Sequence, residues 1–80
     1  MLNVEGRHPA VCEFADMFEF EHLPEGLPRE VSSTFHDHAQ QLVDLLPDGP
    51  GLTRGLHRLW ESKNEVVFLA VRTQREQASQ

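Results

Sequence analysis

Five histidines in 80 residues are the first candidates for chemistry, because imidazole binds metal ions and carries protons near neutral pH. In a helix, His36 and His38 lie about 200° apart, so that helix cannot direct both rings at one ion. Glu19 and His22 have the i,i+3 spacing of carboxylate-bridged metal sites, but the sequence contains no second copy of the pair. We therefore expect solvated or hydrogen-bonded histidines, and neither a metal ion nor another cofactor.

The sequence does not predict an enzyme. Ser33, His36 and Asp37 fall close together on one predicted helix, but no glycine-rich elbow accompanies them to orient a nucleophile or build an oxyanion hole. The single cysteine, Cys12, cannot form an internal disulfide. No glycine fingerprint for a nucleotide phosphate occurs either. The expected function is therefore binding.

The remaining polar and aromatic signals favour a small anionic ligand. Aromatic rings stack on bases, hydroxyl-bearing helix starts bind phosphate, and a partly buried lysine supplies the countercharge. The residues concerned lie before the first turn, at helix starts and in the third helix: Phe18 and Phe20, Ser32 and Thr53, and Lys63 with Asn64. On spacing alone, the aromatic pair is more typical of a core and the hydroxyl residues of caps or turns.

Charge is unevenly distributed along the chain. The net charge is -6, with eight acidic and two basic side chains in residues 1–40 and five of each in residues 41–80. The overall field repels a long polyanion, so duplex DNA is not an expected partner. A helix-turn-helix regulator is disfavoured for the same reason, because only Arg54, Arg58 and Arg72 could form its basic face. A compact anion bound by the second half remains compatible with this distribution.

Two clusters rich in proline and glycine, residues 22–28 and 47–51, divide the chain into three helical segments. The predicted helices are a short one over 9–21, a second from 29 or 32 to 46, and a third over 52–77. Either Pro28 begins the second helix, or Ser32 or Ser33 caps it. The short turn before the third helix folds it back antiparallel, giving an all-α helical hairpin.

The length predicts one domain, residues 1–80, with flexible ends at 1–8 and 76–80. A chain of this size has a thin core, so we expect a homo-oligomer that forms through packing of hairpins on each other. The sequence has no basic-then-apolar leader and no apolar run of membrane-spanning length. It therefore predicts a cytoplasmic protein without a membrane partner.

Three stretches form an ordered set over about positions 8–72. They are Phe18-Glu19-Phe20-Glu21-His22-Leu23-Pro24; Val31-Ser32 followed by Phe35, Ala39, Leu42 and Val43; and Leu46-Pro47-Asp48-Gly49-Pro50 followed by Thr53, Leu56, Leu59, Lys63 and Val67. The set resembles the small helical-hairpin domain of phage anti-defence proteins, the anti-CBASS and anti-Thoeris nucleotide sponges. The resemblance implies a homo-oligomer, often a hexamer, that sequesters cyclic di- or trinucleotides or cyclic ADP-ribose-type signals in the host bacterial cytoplasm without cleaving them.

The resemblance also implies nucleotide-binding residues. Phe20, with Phe18 just before it, would stack on a nucleobase beside the turn that begins at His22. The other positions that the resemblance implies are Ser32 at the second helix, Thr53 after the turn, and Lys63 with Asn64 in the third helix. The predicted nucleotide-binding set adds His22 and Arg54 to these. The chain departs from the family's pattern at Gly51, Asn64 and Phe68, where related sequences commonly carry an acid, an acid and an arginine, and it has no tyrosine.

The alternative function is an acidic helical interaction module. In that case the acidic first half binds and inhibits a host protein by contacting its basic surface. Ionic strength distinguishes the two functions, because salt screens an exposed acidic contact more strongly than a partly buried nucleotide.

Overall fold

The computed structural model describes residues 1–78, and over that range it contains helices and no strand. The helices are α1 (Pro9–Cys12), α2 (Leu27–Leu45) and α3 (Pro50–Ala78), and the two long ones pack together. The predicted short helix followed by an antiparallel hairpin is confirmed. Within these residues, no helix has both the length and the apolar character needed to cross a membrane.

The first helix is much shorter than predicted. α1 ends at Cys12, and residues 13–18 continue as turns rather than as the helix expected up to residue 21. The hydrogen-bond pattern tightens there, because the Phe14 N–H donates to the Val11 carbonyl and the Met17 N–H to the Phe14 carbonyl, three residues back. A short helix is marginal by itself, so tertiary contacts determine the course of this segment.

The second helix begins one residue before Pro28, close to one of the two predicted starts, and the alternative cap at Ser32 or Ser33 is wrong. Gly26 is the N-cap with φ of 140°, Leu27 is the first helical residue, and Pro28 follows in the first turn. Proline fits there because its missing N–H would have no intrahelical acceptor. The Leu27 N–H instead donates to the Gln74 side-chain oxygen at 2.9 Å, which joins the start of α2 to the end of α3.

The core lies between the hairpin and the N-terminal segment, residues 1–24. Phe18 and Leu56 are its largest fully buried side chains, and Leu2 near the N-terminus is also buried. The other apolar residues of this cluster come from the N-terminal segment, α2 and α3: Val11, Phe14, Ala39, Val43 and Leu52. The N-terminal segment thus supplies a third layer on one side of a two-helix hairpin.

Arg7 fastens the N-terminal segment to the turn of the hairpin. Its guanidinium donates to the carbonyl oxygens of Val43 and Leu46 at the end of α2, the latter at 2.7 Å, and to the Asp48 carboxylate at 2.7 Å. The His8 N–H donates to the other Asp48 oxygen at 3.0 Å. The hydrogen bond from Arg7 holds the pKa of Asp48 below its ordinary value of 3.8.

The sequence predicts flexible chain ends at residues 1–8 and 76–80, and this remains a prediction. Within residues 1–8, the Asn3 N–H donates to the Gln40 side chain at 2.7 Å, so the segment lies against α2. At the other end, residues 76–78 belong to α3 and residues 79–80 lie outside the described range.

Candidate functional site

A cavity of about 220 Å³ lies where the loop after Phe18 crosses the hairpin. We call it the Lys63 pocket. Loop residues and both long helices line it: Glu19, His22 and Leu23, Ser32 of α2, and Lys63, Asn64 and Val67 of α3. Half of the predicted nucleotide-binding set therefore meets at this place, namely His22, Ser32, Lys63 and Asn64.

Lys63 is held at this pocket by backbone carbonyls. Its Nζ donates to the Met17 carbonyl at 2.8 Å and to the Glu19 carbonyl at 3.2 Å, and it lies 6.0 Å from the centre of the Phe18 ring. The side chain is half-buried. An ammonium group carries three N–H donors, so one remains for a ligand after these two bonds.

Two effects oppose each other at the Lys63 ammonium. Burial lowers the pKa of Lys63 from its ordinary value of 10.5, whereas the negative charge of Glu19 raises the pKa of Lys63. The desolvation effect is the larger of the two. Because Glu19 also lines the pocket, its carboxylate opposes the binding of any anion that approaches Lys63.

Ser32 supports the same loop from α2. Its hydroxyl is buried and donates to the Glu19 carbonyl at 3.1 Å, so this carbonyl accepts bonds from both Ser32 and Lys63. The hydroxyl has only one proton to donate, which is committed to the loop. Ser32 therefore does not donate a hydrogen bond to a phosphate in this conformation, and its role here is to hold the loop.

The two aromatic residues of the predicted set have different surroundings. Phe18 is fully buried in the core and presents no ring face to a ligand. Phe20 is partly exposed, packs edge-on against the His36 ring at 5.2 Å between centroids, and has the Arg29 guanidinium 6.0 Å from its ring centre. It lines a neighbouring cavity of about 490 Å³ together with Arg29 and Ser33.

Thr53 and Arg54 do not reach the Lys63 pocket within one chain. They precede Lys63 by about ten residues in α3, a distance of about 15 Å along the helix axis. The Thr53 hydroxyl donates to the carbonyls of Gly49 and Pro50 in its own first turn. Arg54 is exposed and lines a different cavity with His57. Thr53 and Arg54 can share one site with Lys63 only if a second chain contributes.

Sequence reasoning did not place Glu19, Leu23 or Val67 in a ligand site. Glu19 had been considered only as a metal ligand with His22. Across residues 1–78, no three His, Cys, Asp or Glu side chains are grouped so that they could hold a metal ion. Leu23 and Val67 belong to the ordered set that carries the resemblance, but their apolar character does not mark them as ligand contacts, because such residues are equally typical of a core.

Comparisons of the chain with protein-family models, with curated proteins and with solved structures gave no match.

Proposed function

We propose that the protein is a phage or prophage anti-defence protein that binds a cyclic nucleotide immune signal and sequesters it without cleaving it. The observation that carries the proposal is the Lys63 ammonium, which has a free donor at the edge of a cavity shared with His22 and Asn64. A cation and polar side chains around a partly apolar cavity suit a small anion with an attached ring. The ordered resemblance to nucleotide sponges supports the same ligand class.

The size of the cavity limits what one chain can hold. A volume of about 220 Å³ is below the roughly 300–1,000 Å³ typical of sites for small molecules. One phosphate with part of its sugar fits this space, whereas a whole cyclic dinucleotide does not. The proposed site is therefore completed by another chain of a homo-oligomer, which the resemblance suggests is a hexamer.

Glu19 provides the sharpest electrostatic test. Its carboxylate opposes an incoming phosphate, so Glu19→Gln should raise the affinity for an anionic nucleotide, on the order of tenfold for one unit charge at this range. Glu21 is exposed and does not line the cavity. Glu21→Gln removes the same charge from the same loop and should leave the affinity nearly unchanged.

The experiment is calorimetric titration with cyclic di- and trinucleotides and a cyclic ADP-ribose. We expect saturable binding of at least one of these ligands at micromolar protein, and recovery of that ligand unaltered after the protein is denatured. Lys63→Met should weaken binding by tenfold or more. Absence of heat with every nucleotide contradicts the proposal, as does a product formed from the ligand.

The alternative is an acidic interaction module that binds and inhibits a host protein. The observation that favours it is the exposure of most carboxylates in residues 1–40: Glu5, Glu13, Asp16, Glu21, Glu25, Glu30 and Asp37. Binding through such a surface should weaken steeply between about 50 and 500 mM salt, because exposed charges are screened over this range. Nucleotide binding at the half-buried Lys63 should weaken much less.

A further inference from the structure

Phe68 is exposed to solvent, unlike the other phenylalanines. It is 65% exposed, and across the described residues no other ring stacks on it and no cation lies over its ring. The other four phenylalanines are buried or half-buried: Phe14, Phe18, Phe20 and Phe35. A single exposed apolar residue is common on a protein surface, so its place in the fold decides whether it has a function.

Phe68 lies at the rim of the Lys63 pocket. Asn64 and Val67 line this cavity, and they precede Phe68 in α3 by four residues and by one residue. Residues four apart are neighbours on a helix surface, and a helical side chain leans toward the N-terminus, over the preceding turn. The Phe68 ring is therefore directed along α3 toward Asn64 and the mouth of the cavity.

An apolar strip connects the cavity with the exposed ring. Val71 is half-buried, and it lies four residues after Val67 and three residues after Phe68, so all three side chains are neighbours on α3. We call Val67, Phe68 and Val71 the Phe68 surface. It begins inside the Lys63 pocket at Val67 and continues outward over α3, which gives a flat apolar group a place to lie beside the cavity.

The charges around the Phe68 surface are balanced. Glu65 lies three residues before Phe68 and Arg72 lies four residues after it, and both are exposed. These two side chains have opposite charges and are each one turn from the ring. The Phe68 surface therefore suits an uncharged ring system better than a phosphate, whereas the ammonium of Lys63 suits the phosphate.

We propose that the Phe68 ring stacks on a nucleobase of the ligand whose phosphate Lys63 binds. This inference rests on the proposed function and adds the residue that holds the base. Lys63 and Phe68 are five residues apart, which is about 7.5 Å along the helix axis, and the ribose of a nucleotide bridges such a separation. The cavity of about 220 Å³ then holds the phosphate and the sugar, and the base lies outside it on the Phe68 surface.

The test is calorimetric titration of variants at position 68 with the cyclic nucleotides that the wild type binds. Phe68→Ala should weaken binding by about 5- to 150-fold, which is the usual loss when one aromatic ring that stacks on a base is removed. Phe68→Tyr and Phe68→Trp keep an aromatic face and should bind nearly as tightly as the wild type. Phe68→Leu keeps an apolar side chain without a ring and should lose most of the affinity. Wild-type affinity of Phe68→Leu overturns the stacking role.

The adjacent residue provides the matched control. Leu69 is 56% exposed, but it lies two positions after Val67 and so about 200° around α3 from it, away from the cavity. Leu69→Ala should bind the nucleotides as the wild type does. Light scattering should give Phe68→Ala the same mass as the wild type. A lower mass contradicts the proposal, because loss of assembly would then account for the weaker binding.

Tryptophan fluorescence gives a direct measurement of stacking. Trp60 is the only tryptophan, so a double variant with Trp60→Phe and Phe68→Trp has a single indole, at the Phe68 surface. Nucleotide should quench its emission with the affinity found by calorimetry, because a stacked base quenches an indole. If the wild type binds no nucleotide, the proposed function and this inference both fail. If the wild type binds and Phe68→Ala binds equally well, only this inference fails.

Discussion

Replacing Lys63 by methionine removes the ammonium but keeps an apolar side chain of similar length. The carbonyls of Met17 and Glu19 then lose the donor that holds the loop on α3. The Glu19 carbonyl still accepts a bond from Ser32, whereas the Met17 carbonyl must turn to water. We therefore expect the variant to fold with a less stable attachment of the N-terminal segment.

The size of the effect follows from the number and surroundings of these bonds. A hydrogen bond from a charged donor contributes about 1.5–3 kcal/mol, so two give about 3–6 kcal/mol as an upper bound. Lys63 is half-buried, so solvent replaces part of this contribution, and the variant no longer has to desolvate a charge. We expect a decrease of about 2 kcal/mol in the free energy of unfolding.

Urea denaturation at pH 7 and a fixed protein concentration, followed by helical circular dichroism, measures this effect. At a slope of about 1–2 kcal/mol per molar urea, the midpoint should fall by about 1–2 M. Arg54→Met is the control, because Arg54 is an exposed residue of the same helix, and its midpoint should stay within about 0.3 M of wild type. A Lys63→Met midpoint equal to that of wild type would falsify the anchoring role.

The same pair of proteins should differ in pH dependence. Because burial lowers the pKa of Lys63 from 10.5, the unfolded chain binds this proton more tightly than the folded chain. The free energy of unfolding of the wild type should therefore rise as the pH increases toward 10.5. Lys63→Met lacks this contribution, so the difference in free energy of unfolding between wild type and variant should widen over that range. A difference that stays constant contradicts a lowered pKa of Lys63 in the folded protein.

Three further substitutions test other parts of the fold by the same urea assay. Ser32→Ala removes the buried donor to the loop and should lower the free energy of unfolding by about 1 kcal/mol, whereas Ser33→Ala, whose hydroxyl bonds within its own helix, should change it little. Gly26→Ala forces a side chain into a backbone with φ of 140° and should destabilise by about 1–3 kcal/mol, whereas Gly51→Ala in α3 should be neutral or stabilising. The wild type should lose stability as the pH falls below 3.8, because the folded state holds the pKa of Asp48 below that value; Asp48→Asn should lack this part of the acid dependence.

The two long helices were predictable from the sequence, because their apolar residues recur with helical spacing and proline–glycine clusters mark their ends. The start of α2 remained ambiguous between Pro28 and a serine cap, since either is compatible with local preferences. The length of α1 was not predictable from periodicity. Residues 13–18 have helical spacing. However, the carbonyls of Met17 and Glu19 accept hydrogen bonds from Lys63, which lies more than forty positions away in the sequence.

The candidate site was predictable in part. Lys63 lies between Leu59 and Val66 at helical steps of four and three, where the spacing otherwise gives apolar residues, and a lysine at such a position is partly buried. Its contact with loop carbonyls was not foreseen, because backbone acceptors have no sequence signature. The bond from the Ser32 hydroxyl to the Glu19 carbonyl was not foreseen for the same reason. The separation of Thr53 from Lys63 follows from the rise of α3 over ten residues, which is about 15 Å.

Lys63 is the only lysine of the chain, so protein labelled with ¹³C-lysine gives one ε-carbon signal that reports on the proposed site. Adding the cyclic nucleotides of the calorimetric panel should shift this signal and raise the pKa of Lys63, because a bound phosphate stabilises the ammonium form. Glu21→Gln should respond as the wild type does. A signal and a titration curve that stay unchanged with every nucleotide up to millimolar concentration contradict the account that Lys63 binds the anionic ligand.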